Sequence, residues 1–359
     1  MKRRIASFPH MGNYAHVFKD LAELLDCDAM LAPQITKRTL EIGAKHSPEF
    51  VCLPFKYNLG NFIEAIEQGA DVIIQAGGGC RFGYYAEVQE AICHDIGYDV
   101  DFIQLSSSVD VGSLVRFLRK HNKRVSAREM KRIVDLTWQK LHVLDEAEDR
   151  VRKNIGFEVE AGAHEALFDS FLRALSDAAD KRAVEQVERE VLAAFKAIPI
   201  DKPERPLRVA IVGELYVLME PFSNMDVERY LGSRGVEVHR FCNVTGIIDR
   251  AIEGYPHIQR MLDTTEPYLS YDPGAEGAYS VYYTLKLMDE GFDGVVHVKP
   301  FGCMPEVTAM AALQRISRER TFPILFMSYD VQTSGTGVIT RLEAFCDMLS
   351  MRRKEPIHA

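Results

Sequence analysis

Short apolar runs alternate with amphipathic segments through the first hundred residues, and this alternation restricts the fold more than any other feature of the chain. Residues 4–8, 28–32, 50–53, 72–76 and 101–105 read as strands, while 14–25, 36–46, 58–68 and 84–96 carry helical period between them. Strands that are joined through helices need crossover connections, so the expected sheet is parallel and covered on both faces.

The pattern stops at about residue 109 and returns near residue 200. The intervening stretch is rich in Arg, Lys, Glu, Ala and Leu, with helical period over 127–144 and 181–195 and little strand signal. It reads as a helical segment packed on a sheet or on a partner subunit, and the charge-laced run Lys181 to Glu190 reads as a solvated helix face. Ile198-Pro199-Ile200-Asp201-Lys202-Pro203-Glu204-Arg205-Pro206 cannot continue a helix and marks a boundary. Beyond it, strands are expected over 207–212, 236–241, 294–298 and 324–328, with helices over 226–232, 247–262, 277–288, 306–318 and 338–349. The expected class is α/β: two Rossmann-like, doubly wound, parallel-sheet domains, 1–108 and 200–359, with a helical segment, 109–199, between them.

The 359 residues are enough for two separate cores, and the 47% hydrophobic and 26% charged content is that of a globular protein. A net charge of −9 argues against nucleic acid as a main partner. No apolar run approaches a membrane span, and Met1-Lys2-Arg3-Arg4-Ile5-Ala6 leads into a strand rather than a signal-like apolar region, so the default expectation is a cytoplasmic protein without a membrane partner. Seven scattered cysteines favour free thiols or metal binding over a disulfide framework.

Three of those cysteines stand at expected strand ends, where open parallel sheets bind ligands. They are Cys52 in Val51-Cys52-Leu53-Pro54, Cys80 after Gly77-Gly78-Gly79, and Cys303 in Phe301-Gly302-Cys303-Met304-Pro305. Each has Pro or Gly beside it, which sets a turn and allows close approach. Brought together, three thiolates suit a soft metal centre, zinc or iron–sulfur, with a coordination position left open. Against this, the chain has no Cys-x-x-Cys pair, and cysteines are often simply buried hydrophobes. Cys242, after the strand over 236–241, is a candidate fourth ligand or a packed thiol, and Cys27, Cys93 and Cys346 read as packed thiols on or beside helices.

Polar residues near the same strand ends are the candidate catalytic groups. His10 is a proton donor, a substrate ligand or a helix-start residue; Glu214 is a proton-transfer group, a helix cap or a salt-bridge partner. Lys56, Arg81 and Lys299 flank the cysteines, either favouring a reduced centre and an anionic substrate or lying as solvated rim charges. Asn224, Tyr329, Asp330 and Gln332 belong to strand-end loops. The phosphate-loop pattern Gly-x-x-x-x-Gly-Lys is absent, as is a dinucleotide Gly-x-Gly-x-x-Gly after the first strand, which assigns ATP hydrolysis, where needed, to a partner.

The segments Val51-Cys52-Leu53-Pro54-Phe55-Lys56, Ala76-Gly77-Gly78-Gly79-Cys80-Arg81-Phe82-Gly83-Tyr84-Tyr85 and Lys299-Pro300-Phe301-Gly302-Cys303-Met304-Pro305 resemble the 2-hydroxyacyl-CoA dehydratase superfamily. So do Gly213-Glu214 and Thr340-Arg341-Leu342-Glu343-Ala344-Phe345. That superfamily includes benzoyl-CoA reductase subunits and double-cubane-cluster proteins, and the chain is most similar to its short, CoA-enzyme-activase-like members. The resemblance implies a [4Fe–4S] cluster on Cys52, Cys80 and Cys303, with backbone N–H groups of Gly77, Gly78 and Gly79 near its sulfurs. It implies an ATP-dependent iron–sulfur activator as partner, a homo- or hetero-oligomer, and radical chemistry under anaerobic conditions. In the dehydratases the electron forms a ketyl radical on a thioester carbonyl, from which a hydroxyl leaves. The expectation is an iron–sulfur protein that accepts low-potential electrons for one-electron reduction or dehydration of a small substrate such as an acyl-CoA; the alternative is a non-catalytic iron–sulfur carrier or scaffold subunit of an activase system. The dehydratases use two related subunits and the double-cubane proteins two cysteine sets, whereas this chain presents one of each, so substrate and final reaction do not carry over.

Overall fold

The strand Val72–Ala76 has Val72, Ile73 and Ile74 buried against helices on both faces, as in a central parallel strand. It is β3 of a four-stranded sheet whose other members are β1 (Arg4–Ser7), β2 (Cys27–Ala29) and β4 (Asp101–Leu105), in the order β2-β1-β3-β4, with each neighbouring pair parallel. A second parallel sheet, β5 (Leu207–Gly213), β6 (Val236–Arg240), β7 (Gly294–Pro300) and β8 (Ile324–Tyr329), has the matching order β6-β5-β7-β8. The expected α/β class with two Rossmann-like sheets is therefore what the chain forms. The computed structural model describes residues 3–76, 83–105, 119, 122 and 125–354. The chain divides into two compact units, residues 1–144, 172–188 and 247–253 in the first and 145–171, 189–246 and 254–359 in the second.

In unit 1 the sheet carries α1 (Ala15–Leu24), α2 (Lys37–His46), α3 (Leu53–Glu67) and α4 (Tyr85–Asp95). Ala6, Val72 and Ile74 pack one face with Ala22, Leu24 and Ile133, while Ile73 packs the other with Phe55, Leu59, Phe62 and Cys93. The strand expected over residues 50–53 does not form. Phe50 is 94% exposed, Cys52 is the extended N-cap (φ −65°, ψ 158°), and α3 begins at Leu53. Pro54 in the first turn presets the helical φ and lacks an N–H that would go unpaired there, and from Leu53 to Ala65 every residue but Lys56 is buried. α2 and α3 meet backbone to backbone: a Cβ on Gly43 would lie 1.7 Å from the Lys56 carbonyl oxygen, and one on Gly60 would lie 1.9 Å from that of Thr39.

From residue 127 the charged middle of the chain is helical: α5 (Ala127–Asn154), α6 (Ala163–Asp177) and α7 (Lys181–Ala197). Unit 2 then adds α8 (Leu215–Met219), α9 (Pro221–Asn224) and α10 (Val227–Ser233), and the chain continues with α11 (Val244–Glu253), α12 (Tyr255–Thr265), α13 (Gly277–Asp289), α14 (Met304–Glu319) and α15 (Gly335–Lys354). The single helix expected over 247–262 is split at Gly254, whose φ of 66° and ψ of −147° suit only glycine and place it as the cap before α12. Every residue of β7 is buried. Ala210, Val212 and Val295 face Leu287 of α13, and Gly294 receives Phe345 and Leu349 of α15. Among the described residues no helix is long and apolar enough to cross a membrane.

Candidate functional site

In both sheets the first strand lies between the second and the third, so connections leave β1 and β3, and likewise β5 and β7, in opposite directions at their carboxyl ends. That reversal opens the crevice in which parallel sheets bind ligands. His10 follows β1 and Glu214 follows β5, so the two candidate acid–base residues occupy matching places in the two units. Cys303 follows β7. Gly77, Gly78, Gly79, Cys80 and Arg81, which follow β3, lie outside the described residues.

In unit 1, His10 is buried and its backbone N–H donates to Asn61 Oδ1 at 3.0 Å. Asn61 Nδ2 donates in turn to the Pro33 carbonyl at 2.7 Å, so one side chain of α3 pins the loops that leave β1 and β2. Cys52 reaches the carboxyl edge by a different route from the one expected. α3 runs into β3 through the turn at Gly69 and Ala70, so its N-terminus returns to the edge where β3 ends. Cys52 Sγ lies 2.5 Å from Tyr85 Oη, and the Tyr85 ring packs edge-on against Phe55, with 5.2 Å between centroids. Lys56 Nζ donates to the Glu49 carbonyl at 3.0 Å, which ties its charge to the loop before α3.

In unit 2 the β5–β7 register pairs Val212 with His297 and Gly213 with Val298. One residue further along, Glu214 comes beside Lys299, on the face shared by His297, Lys299 and helices α13 and α14. The strands approach so closely at this point that a Cβ on Gly213 (φ 142°) would lie 1.8 Å from the Val298 carbonyl oxygen, the same oxygen that accepts the Glu214 N–H at 3.0 Å. Glu214 caps α8, its two carboxylate oxygens accepting from the N–H groups of Tyr216 (3.2 Å) and Val217 (3.0 Å). Burial nevertheless raises its carboxyl to about 7; the two backbone donors oppose that rise, and the nearby Glu306 and Glu276 add to it. Lys299 is buried, donates weakly to the Phe301 carbonyl at 3.3 Å, and is pushed down by burial while Cys303 and Glu306 hold it up.

Cys303 is the N-cap of α14, as Cys52 is of α3. In both places the sequence is Cys-x-Pro, the cysteine is extended, and the proline stands in the first helical turn. Both thiols are half-buried, whereas Cys27, Cys93, Cys242 and Cys346 are buried. Burial pushes the Cys93 thiol up to about 12 and that of Cys346 to about 11, so these behave as packed apolar groups. The donor chemistry of Cys52 and Cys303 fits an iron–sulfur cluster: accessible sulfur at the N–H-rich end of a helix. No group of three or more His, Cys, Asp or Glu side chains converges to hold a metal ion among the described residues. Cys52 belongs to unit 1 and Cys303 to unit 2, and Cys80 is outside the description.

Other candidates are taken up locally. Asn224 bridges the Val217 carbonyl (2.6 Å) and the Val227 N–H (3.2 Å), and Asp330 closes a turn on Gln332 and Thr333. Tyr329 is buried at the end of β8, where burial pushes its phenol up.

A second polar group was not singled out by the sequence. His297 Nε2 lies 2.7 Å from Glu306 Oε2, and Ser280 Oγ donates to that same oxygen at 3.0 Å. The signals for it are a histidine inside the otherwise apolar run Val295 to Val298 and a glutamate in the first turn of α14. No protein-family model matches the sequence, and no curated protein matches it.

Proposed function

We propose that the protein is an iron–sulfur protein of the 2-hydroxyacyl-CoA dehydratase type, a short member of that superfamily. It takes low-potential electrons from an ATP-dependent iron–sulfur activator for one-electron reduction or dehydration of a small substrate such as an acyl-CoA. The observation that carries this reading is the matched setting of Cys52 and Cys303, each a half-buried N-cap thiol with proline in the following turn, at the carboxyl edge of a Rossmann-like sheet. Cys52, Cys80 and Cys303 would hold a [4Fe–4S] cluster, which supplies a single electron at low potential when bound.

The chain's own residues do the rest. The N-termini of α3 and α14 present N–H groups and the positive end of the helix dipole to the thiolates. Glu214, with its carboxyl near 7, carries a proton in part of the population at neutral pH and delivers it to a departing hydroxyl or a reduced carbon. Lys299 supplies a buried cation beside Cys303.

Anaerobic preparation with iron, sulfide and zinc analysis and electron paramagnetic resonance tests the reading. About four iron and four sulfide per chain are expected, with the signal lost or changed in Cys80→Ser and Cys303→Ser. Activator plus ATP should reduce the centre, and an acyl-CoA should perturb its spectrum. Zinc in place of iron, or full iron and an unchanged signal in both variants, overturns the ligand assignment. Reduction without response to any acyl-CoA overturns the enzymatic reading and leaves a carrier or scaffold subunit.

A further inference from the structure

We infer that Glu214 and Glu306 form a paired-carboxylate proton site in unit 2, in which Glu214 exchanges the proton and Glu306, held by His297 and Ser280, is the positioning residue that keeps it there. Its use in catalysis rests on the function proposed for this edge; the proton site itself stands on the carboxylates.

The geometry begins with β7. Alternation along the strand turns His297 and Lys299 to the face covered by α13 and α14, and the register with β5 brings Glu214 to that face. Ser280 comes from the first turn of α13 and Glu306 from the first turn of α14. Four segments of the chain, the end of β5, α13, β7 and α14, thus place two carboxylates, an imidazole and a hydroxyl under one edge.

The bonding within the group is lopsided. Both donors, His297 and Ser280, take Glu306 Oε2. Oε1 has no hydrogen-bond partner, although the side chain is only 1% exposed. His297, with a side chain at 0% exposure, uses Nε2 toward the carboxylate and leaves Nδ1 unpartnered. Two well-packed apolar side chains would be as stable at these positions as a buried pair with purely structural work, or more so. A carboxylate satisfied on one oxygen keeps negative potential directed at its neighbours.

The groups that act on Glu214 come from every element around it. Glu306 on α14 and Glu276, just before α13, both disfavour its ionised form; the N–H groups of Tyr216 and Val217 on α8 favour that form. Lys299 on β7 is the cation on this face, and its own charged form is disfavoured by burial. Burial and the two carboxylates outweigh the two backbone donors, so the Glu214 carboxyl sits near neutrality, where an acid both gives and regains a proton. In the exchange, one Glu214 oxygen loses its proton to the acceptor and regains one from solvent. Half-buried Glu214 is the exchanging end and sealed Glu306 is not.

The test is a pH titration of the anaerobically prepared full chain, labelled with 13C-glutamate and followed by infrared difference spectroscopy. Iron is measured on the same samples, so that loss of the cluster and loss of the proton site are told apart. The wild type should show a protonated-carboxyl band with a midpoint near 7 that is missing in Glu214→Gln. In Glu306→Gln the midpoint should move about one pH unit lower, a tenfold change in proton affinity. Ser280→Ala, a smaller change that leaves the His297–Glu306 pair in place, is the second variant should Glu306→Gln fail to fold; exposing more of the Glu306 charge, it should move the midpoint upward. A Glu214 band with an ordinary carboxylate midpoint, or a midpoint unmoved in both Glu306→Gln and Ser280→Ala, overturns the inference. A purely structural Glu306 would lower stability without moving the band.

Discussion

Glu214→Gln is expected to stabilise unit 2 at pH 8 and to leave it nearly unchanged at pH 5. The Glu214 carboxyl titrates at about 7 in the folded protein against an ordinary value of 4.5. The folded state therefore holds its proton longer than the unfolded state, and stability is lost as pH rises between those two values. The difference of about 2.5 pH units, at ~1.4 kcal/mol each, amounts to about 3 kcal/mol lost in full above pH 7. A glutamine never ionises and escapes this loss. It offers one acceptor oxygen to the N–H groups of Tyr216 and Val217 in place of two, at a cost of about 1 kcal/mol. The variant should therefore be about 2 kcal/mol more stable than the wild type at pH 8 and within about 0.5 kcal/mol of it at pH 5. The sole tryptophan, Trp138, belongs to unit 1, so its fluorescence does not report this change. Hydrogen exchange of the peptide carrying β5, followed by mass spectrometry through a urea series at each pH, reads it directly. A difference between wild type and variant that is the same at both pH values would refute the reasoning, because Glu214 would then titrate as an ordinary carboxylate.

Iodoacetamide applied to metal-free, folded protein at pH 8 should alkylate Cys303 and spare Cys93 and Cys346 until denaturant is added, since Cys303 is half-buried while burial holds the other two thiols at about 12 and about 11; peptide mapping that finds Cys93 modified as fast as Cys303 contradicts this. Gly60→Ala places a Cβ 1.9 Å from the Thr39 carbonyl oxygen and forces α2 and α3 apart, at a cost of about 3 kcal/mol; calorimetry should show a lower Tm for unit 1, and an unchanged Tm would mean that the helices do not meet there backbone to backbone.

The alternation of apolar runs and amphipathic segments led to two parallel sheets because a covered parallel strand needs both faces apolar and each crossover needs a helix. The Pro-rich stretch after Ile198 separates the helical middle from the second set of strands for a local reason, since three prolines leave no continuous helix there. Residues 50–53 misled because four apolar-leaning residues suit a strand or a helix start equally, and periodicity alone does not separate them. Burial of α3 on nearly every side from Leu53 to Ala65 decided for the helix. Residues 247–262 misled for the opposite reason: the period runs through Gly254, and only the backbone angles reveal the break.

The candidate site divides in the same way. Cysteine beside proline, a glutamate after a strand that ends in glycine, and a histidine after the first strand are signals confined to a few neighbouring residues, and the chain displays them openly. The group formed by Ser280, His297 and Glu306 shows in the sequence only as a histidine within an apolar run and a glutamate in a helix's first turn, with nothing to join them. Those residues meet only because β7 carries His297 to the face on which α13 and α14 lie, and the same register sets Glu214 beside Lys299. A sequence pattern reports what each residue prefers along its own segment. Which oxygen of a buried carboxylate receives two donors and which receives none depends on how three segments dock, and so does the proton affinity of Glu214.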